Sequence, residues 1–280
     1  MLSIRSFTPA DIPAGLALCR AMQWNQLAID WEMFLRLNPD SCCAAFDGEA
    51  LVGTVATVSY DARFSWIGMM LVAPHMRRQG VGTMLMSNAL EILQAQETVR
   101  LDATPVGREV YLKMGFVDEY PLHRMHATIA ENEWLDSPAR PMQREDLAKL
   151  RDLDFNVFGA NRVQLLEWLR ADAPEYAWVV DGPSGIAGYC LGRHGYSFEH
   201  LGPVIAPDLT TTQHLVSACL RHQIGKPFLV DATPHNTSWI PWLNSLGFTE
   251  QRLLMRMYRG ANRYPGEPEN QFSILGPEFG

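Results

Sequence analysis

The chain has 280 residues, 47% of them hydrophobic and 19% charged, a globular composition that excludes disordered, collagen-like and low-complexity classes. At roughly 100–200 residues per domain, two domains are expected rather than one large core. The 23 basic and 31 acidic residues leave a net charge of −8, which disfavours nucleic acid and anionic membranes as partners, and five cysteines without C-x-x-C spacing read as reduced thiols in a cytoplasm.

In chain order, the first signal is a helix start at Thr8-Pro9-Ala10-Asp11, with Thr8 as cap, Pro9 at the first helical position, and Ile12, Leu16 and Cys19 on one face. Residues 51–58 and 67–72 are β-type runs of strand length bounded by loop residues, predicted to be adjacent strands. After Gly80-Val81-Gly82 a helical pattern continues to about Gln94, with Leu85, Ala89 and Leu93 four apart on one face. Residues 99–103 read as the next strand. Arg108 to Met114 reads as a short helix stopped by Gly115, a left-handed cap, before Phe116-Val117 begins another strand. Strands alternating with helices make an α/β module. No run approaches the roughly 20 apolar residues of a membrane span, and no signal core follows Met1.

An internal repeat organises the whole chain. Leu101-Asp102-Ala103-Thr104-Pro105 recurs as Val230-Asp231-Ala232-Thr233-Pro234, about 130 positions further on. In the same order, Val72-Ala73-Pro74 matches Ile205-Ala206-Pro207, Gly115-Phe116 matches Gly247-Phe248, Arg124-Met125 matches Arg256-Met257, and Arg5 with Asp11 matches Arg140 with Asp146. Two related modules follow, 1–136 and 137–280, with the seam at the turn-forming Asp136-Ser137-Pro138. The Gly- and Pro-rich segment from Gly260 to Gly280 is expected to be irregular surface chain that Phe272, Ile274 and Leu275 could pin down.

The stretch Arg77-Arg78-Gln79-Gly80-Val81-Gly82-Thr83 joins a strand end to a helix start. Unpartnered N–H groups and the positive dipole end suit an anion there, glycine lets a pyrophosphate approach the backbone, and Arg77 and Arg78 add charge-assisted contacts. An ordinary tight turn competes with this reading when the glycines are taken alone. The pattern is neither G-x-x-x-x-G-K-[ST] nor G-x-G-x-x-G, so triphosphate and dinucleotide sites are poor readings.

Arg77-Arg78-Gln79-Gly80-Val81-Gly82 resembles the R/Q-x-x-G-x-G/A acyl-CoA loop of the GNAT (Gcn5-related) acyltransferases, and Tyr111, four residues before Gly115-Phe116, matches that family's second signature. The clear resemblance covers Val52 to Phe116, and the repeat extends the same fold over the second module. It implies two tandem GNAT-like modules, each a mixed, largely antiparallel sheet flanked by helices. It also implies acetyl-CoA as co-substrate, held by Leu71, Val72 and residues 77–83, and Tyr111 as the group that protonates the departing thiolate. Trp24-Asn25-Gln26 with Asp30-Trp31 looks like a tandem-GNAT subgroup in which this segment borders the acceptor, which makes Trp24, Asn25 and Asp30 candidate substrate contacts.

Many relatives carry an acidic base on the strand before the loop, but Ser65-Trp66-Ile67-Gly68-Met69-Met70 has none, leaving water or a carboxylate such as Asp30. In the second module Asp208 to Leu215 lacks both glycines and arginines, so one acyl-CoA is expected per chain, with the second module shaping the acceptor site. Cys190 reads as a small buried hydrophobe, His235-Asn236 as a pair that could face a pocket, and no histidine spacing suggests a metal. The expected activity is acetylation of a small amine by direct attack on the thioester, by a cytoplasmic monomer or homodimer, the acidic balance favouring a cationic acceptor. The alternatives are acetylation of a protein amino group and a non-catalytic acyl-CoA-binding regulator.

Overall fold

The computed structural model describes residues 2–183 and 185–280. The first half runs β1 (Leu2–Ser6), α1 (Ile12–Ala21), α2 (Ala28–Leu37), β2 (Cys42–Asp47), β3 (Ala50–Tyr60), β4 (Phe64–Val72), α3 (Val81–Ile92), β5 (Thr98–Ala103), α4 (Pro105–Leu112) and β6 (Val117–Thr128). The second half runs β7 (Arg140–Pro141), α5 (Asp146–Phe158), α6 (Val163–Asp172), β8 (Trp178–Gly182), β9 (Gly185–Arg193), β10 (Glu199–Ile205), α7 (Leu209–Leu220), β11 (Pro227–Ala232), α8 (Trp239–Ser245), β12 (Thr249–Gly260) and β13 (Gln271–Ser273).

The repeat anchors are structural joints. Arg5 pairs with Asp11 at 2.7 Å and Arg140 with Asp146 at 2.6 Å, so each half opens with an arginine on its first strand clamped to the start of its first helix. Asp11 also accepts the Thr8 N–H and hydroxyl, each at 2.8 Å, completing a capping box. The predicted start at Pro9 is one turn of 3-10 helix, and the α-helix begins at Ile12. On its inner face Ile12 and Cys19 are buried as expected and joined by Gly15 and Leu18, Leu16 packs half-buried on the core, and a Cβ at Gly15 would lie 3.0 Å from the Phe7 ring and 3.3 Å from Trp31. That bare position lets Phe7 stack on Trp31 with ring centroids 4.2 Å apart. Gly115 and Gly247 both adopt left-handed φ, +85° and +91°, and deliver Phe116 and Phe248 to the interior.

The two halves share one sheet. Among the described residues its thirteen strands run β1-β2-β3-β4-β5-β12-β6-β11-β13-β10-β9-β8-β7. The pairs β4–β5 and β10–β11 are parallel and the other pairs antiparallel. The long strand that follows the last α-helix of each half is exchanged: β12 lies between β5 and β6, and β6 lies between β12 and β11. The repeated Arg and Asp anchors pair across this exchange. Arg124 of β6 donates two bonds of 2.7 Å to Asp231 of β11, and Arg256 of β12 donates two of 2.9 Å to Asp102 of β5. Removing one partner of such a buried pair strands the other charge, at a cost of about 3–5 kcal/mol.

The tail is irregular surface chain to about residue 270, as expected, but from Gln271 on it is buried. β13 sits where β10 and β11 diverge, pairing Val204 with Ser273 and Ala232 with Ser273. Phe272, Ile274, Leu275 and Phe279 are buried, with Phe279 stacked on Phe34 at 4.4 Å and edge-on to Trp168 at 5.7 Å. Hydrophobic spacing gave no sign of this, because the segment is held by partners from both halves and has no periodic face of its own.

Candidate active site

The two parallel pairs are mirrored openings. β4 and β5 pair only at Ser65–Val99 and Trp66–Arg100, then diverge, leaving a cleft between Ile67–Val72 and Leu101–Ala103. A bulge widens it. Between Gly68 and Leu71, β4 carries one residue more than β3, and Met69 is forced to φ +50°, with its carbonyl accepting the Thr54 hydroxyl at 2.7 Å. The cleft opens into a cavity of about 700 Å³, within the range of small-molecule sites. In the second half the equivalent gap is filled by β13.

At the cavity mouth the chain turns from β4 into α3. Gly80 takes φ +84° just before the helix, a conformation glycine adopts without strain. Gly82 has no such demand: a Cβ there would lie 3.5 Å from Met70 Cε and 3.6 Å from Val72 Cγ2, ordinary contacts that the fold could accept. Its bare face opens on the cavity beside the leading N–H groups of α3, a cradle that fits a diphosphate. Leu71, Val72, Arg77, Arg78, Gly80, Gly82 and Thr83 line the cavity. Gln79 and Val81 do not; the Gln79 amide donates to the His75 carbonyl at 2.7 Å, and Val81 is core.

Tyr111 lies on the opposite wall. Thr104 caps α4 by accepting the Gly107 N–H at 3.2 Å, and Pro105 occupies the first turn, so the helix starts at a defined place after β5. The half-buried Tyr111 ring rests on Gly107, where a Cβ would come within 3.0 Å of Cε2, and tilts against Phe116 at 6.0 Å. Its phenol lines the cavity without a hydrogen-bond partner among the described residues, and burial pushes it up to about 12.

The inner wall holds, besides Gln26 of the Trp24-Asn25-Gln26 motif, residues to which no motif assigned a contact. Gln26, Asp102, Arg124, Arg252, Leu254 and Glu278 converge there, drawn from the segment before α2, from β5, β6 and β12, and from the tail. Asp102 and Arg124 had been visible as repeat anchors, but nothing in the local sequence around Arg252 or Glu278 marks them. Arg252 follows a bulge at Gln251 and sits opposite Arg124 in the β12–β6 register. Arg193 donates to both Glu278 and Asp30.

Of the three expected acceptor contacts, Trp24 lines the cavity and the other two lie behind its wall. The Asn25 side chain accepts the N–H groups of Ser197 and Phe198 at 2.9 and 3.0 Å and donates to the Phe198 carbonyl at 2.8 Å, which fastens the β9–β10 loop. Asp30 is 1% exposed, accepts the Leu27 N–H at 2.6 Å and pairs with Arg193. Burial pushes its carboxyl up to about 6, against the pull of Arg193. The inner wall carries both signs, Arg124 and Arg252 beside Asp102 and Glu278, a local detail that the net charge of the chain averages away. Cys190 is fully buried, and His235 packs edge-on against Tyr120 at 4.5 Å away from the cavity. Among the described residues no helix is long and apolar enough to cross a membrane.

Two family models match the chain, an acetyltransferase (GNAT) family over residues 14–116 and an acetyltransferase (GNAT) domain over residues 150–273. An uncharacterized N-acetyltransferase, YitH, of Bacillus subtilis is 25% identical over 191 residues, which span 66% of this chain and 66% of that protein. A putative acetyltransferase from Pyrococcus horikoshii has a similar structure with a TM-score of 0.83 at 22% identity, over 100% of this chain and 96% of that one. A tandem GNAT protein from the clavulanic acid biosynthesis pathway matches with a TM-score of 0.63 at 14% identity, over 92% of this chain and 98% of its own. At these identities the two structures speak for the fold.

Proposed function

The chain belongs to the GNAT acetyltransferase superfamily as a tandem of two GNAT modules, and from that premise we propose that its first module transfers the acetyl group of acetyl-CoA to a small amine. We divide the modules at 1–136 and 137–280. The observation that carries the reading is the bare Gly82 face at the start of α3, which opens on the same cavity as the unpartnered Tyr111 phenol. A cavity whose wall includes the buried Glu278, packed on β4 at Gly68, suits a small acceptor better than a protein chain.

Bound acetyl-CoA supplies a thioester: the acceptor nitrogen forms the C–N bond as the C–S bond breaks. Gly82 and Thr83 would hold the diphosphate with Arg77 and Arg78, and the backbone freed by the Met69 bulge would orient the pantetheine arm. The acceptor arrives as an ammonium and must lose a proton before it has a lone pair to attack with. Asp102 and Glu278 are the two carboxylates on the wall; Asp102 is taken up by both N–H groups of Arg256, while Glu278 shares Arg193 with Asp30, so Glu278 is the better acceptor for that proton. Tyr111 stays protonated at any working pH and donates to the sulfur as negative charge builds there. The nitrogen's second proton, made acidic by C–N bond formation, replaces the one that Tyr111 gives up, so one proton ends on the thiol and one in solvent.

Calorimetry with CoA, and thiol release from acetyl-CoA with an amine panel, test the reading. Tyr111→Phe should lower kcat about 100-fold or more while leaving CoA affinity unchanged. Failure of the wild-type chain to bind CoA, or full turnover in the phenylalanine variant, overturns it.

A further inference from the structure

The charges around the inner wall pair unevenly. Arg124 is matched by Asp231 at 2.7 Å, and Arg256 by Asp102 at 2.9 Å, one cation to one anion each. Arg193 is shared by two carboxylates, Asp30 and Glu278. His200, with Nδ1 3.3 Å from Arg193 and Nε2 3.1 Å from Asp231, is kept neutral by burial, so it does not alter the balance. Arg252 has no ion-pair or hydrogen-bond partner among the described residues, its Nε is buried, and its cross-strand neighbour is another arginine. The wall therefore has one surplus negative charge, on the Asp30–Arg193–Glu278 triad, and one surplus positive charge, on Arg252, and Glu278 and Arg252 line the same cavity.

A half-buried guanidinium set opposite a second guanidinium, with the nearby Asp231 already taken up by Arg124, is costly in the empty protein. Burial and Arg124 together pull the Arg252 guanidinium down to about 10 against the opposing effect of Asp231, which is the same cost expressed in its titration. A ligand anion would remove it. Arg124 is the weaker candidate, because its charge is already matched by Asp231, which accepts from both Nε and Nη2. The bulge at Gln251 breaks the regular alternation of β12 just before Arg252, as expected where a strand re-aims a side chain.

Resting on the acetyl-transfer reading above, we propose that the acceptor is an amine that also bears a carboxylate, an amino-acid-type zwitterion, with its carboxylate on Arg252 and its amino group turned toward Glu278 and the thioester. The planar fork of Arg252 suits a carboxylate, and Glu278 gives the ammonium a counter-charge that becomes the acceptor of its first proton. An amine without the carboxylate leaves Arg252 unpaired, and an anion without the amine leaves the negative end unmatched.

The test uses the full chain with acetyl-CoA and matched probes: the common α-amino acids, β-alanine and γ-aminobutyrate, each against its carboxamide. Thiol release gives kcat and KM, and calorimetry on the CoA complex gives affinity independently of turnover. At least one carboxylate probe should be used about ten-fold or more better than its carboxamide, with the gap in KM. Arg252→Met should close that gap while leaving the KM for acetyl-CoA in place, and Arg252→Lys should restore part of it. Carboxamides used as well as the acids, a gap that persists in Arg252→Met, or no binding of any carboxylate probe to the CoA complex overturns the proposal. The two readings fail separately. Turnover of carboxylate-free amines alone keeps acetyl transfer and removes the zwitterion, whereas Arg252-dependent binding of acids without thiol release keeps the anion site and removes acetyl transfer.

Discussion

Gly80 and Gly82 are two residues apart and do different work. Gly80 holds φ +84° with open space around it, so Gly80→Ala should cost about 1 kcal/mol of stability through backbone strain alone, read as a lowered Tm. Gly82 has neither strain nor crowding, so Gly82→Ala should leave the Tm unchanged and weaken CoA binding about ten-fold in calorimetry, because the added methyl occupies the space a diphosphate would use. Equal effects of the two substitutions on Tm would refute this division. The proposed anion cradle could be read from the sequence because it is local: adjacent residues supply the turn, the helix start and the charges. Asp30 was a candidate contact on similar grounds, but its environment is made by Arg193, far away in sequence, and that partner turns it into a wall support.

At the scale of single elements, two junctions give tests. The Arg140 guanidinium holds the Asp146 carboxyl down at about 2, with the Gln143 N–H adding to the effect. Since the folded value is depressed below the ordinary 3.8, this contribution is complete above about pH 4 and is lost as pH falls through about 2. It should amount to on the order of 2 kcal/mol. Asp146→Asn should therefore destabilise the protein at pH 7, with the difference from wild type shrinking to nothing near pH 2 in denaturant titrations. The second junction is β4 against the tail. A Cβ at Gly68 would lie 2.8 Å from Glu278 Cα, and Trp66 donates its indole N–H to the Pro277 carbonyl at 2.9 Å. Gly68→Ala should push the tail off β4, lowering Tm and acetyl transfer together while sparing CoA affinity. The predicted strands and helices of the first half emerged close to their sequence signals, because each has its own periodicity or cap. β13 had neither and exists only because the diverging β10 and β11 leave backbone groups to satisfy.

Across the whole molecule the exchange of β6 and β12 decides cohesion. Residues 1–136 expressed alone would leave β5 without β12, and 137–280 alone would leave β11 without β6, each with a buried aspartate deprived of its arginine. Neither half should give a cooperative thermal transition alone, the full chain should unfold in one transition, and co-expression of the halves should recover a folded complex. Independent folding of either half would contradict this.

The amino-acid sequence by itself determined the duplication, the α/β module, the glycine loop and the place of Tyr111, because each depends on residues close together along the chain or on recurrence of the same short strings. Only the tertiary structure decided that the second module's cleft, whose loop already lacked the glycines and arginines, is filled by β13, that the repeat's Arg and Asp anchors pair across the halves, and that Arg252 and Glu278 face one cavity. Those outcomes depend on which distant segments meet in a sheet, and in the interior it is the partner of a charge, more than the charge itself, that sets what it can do.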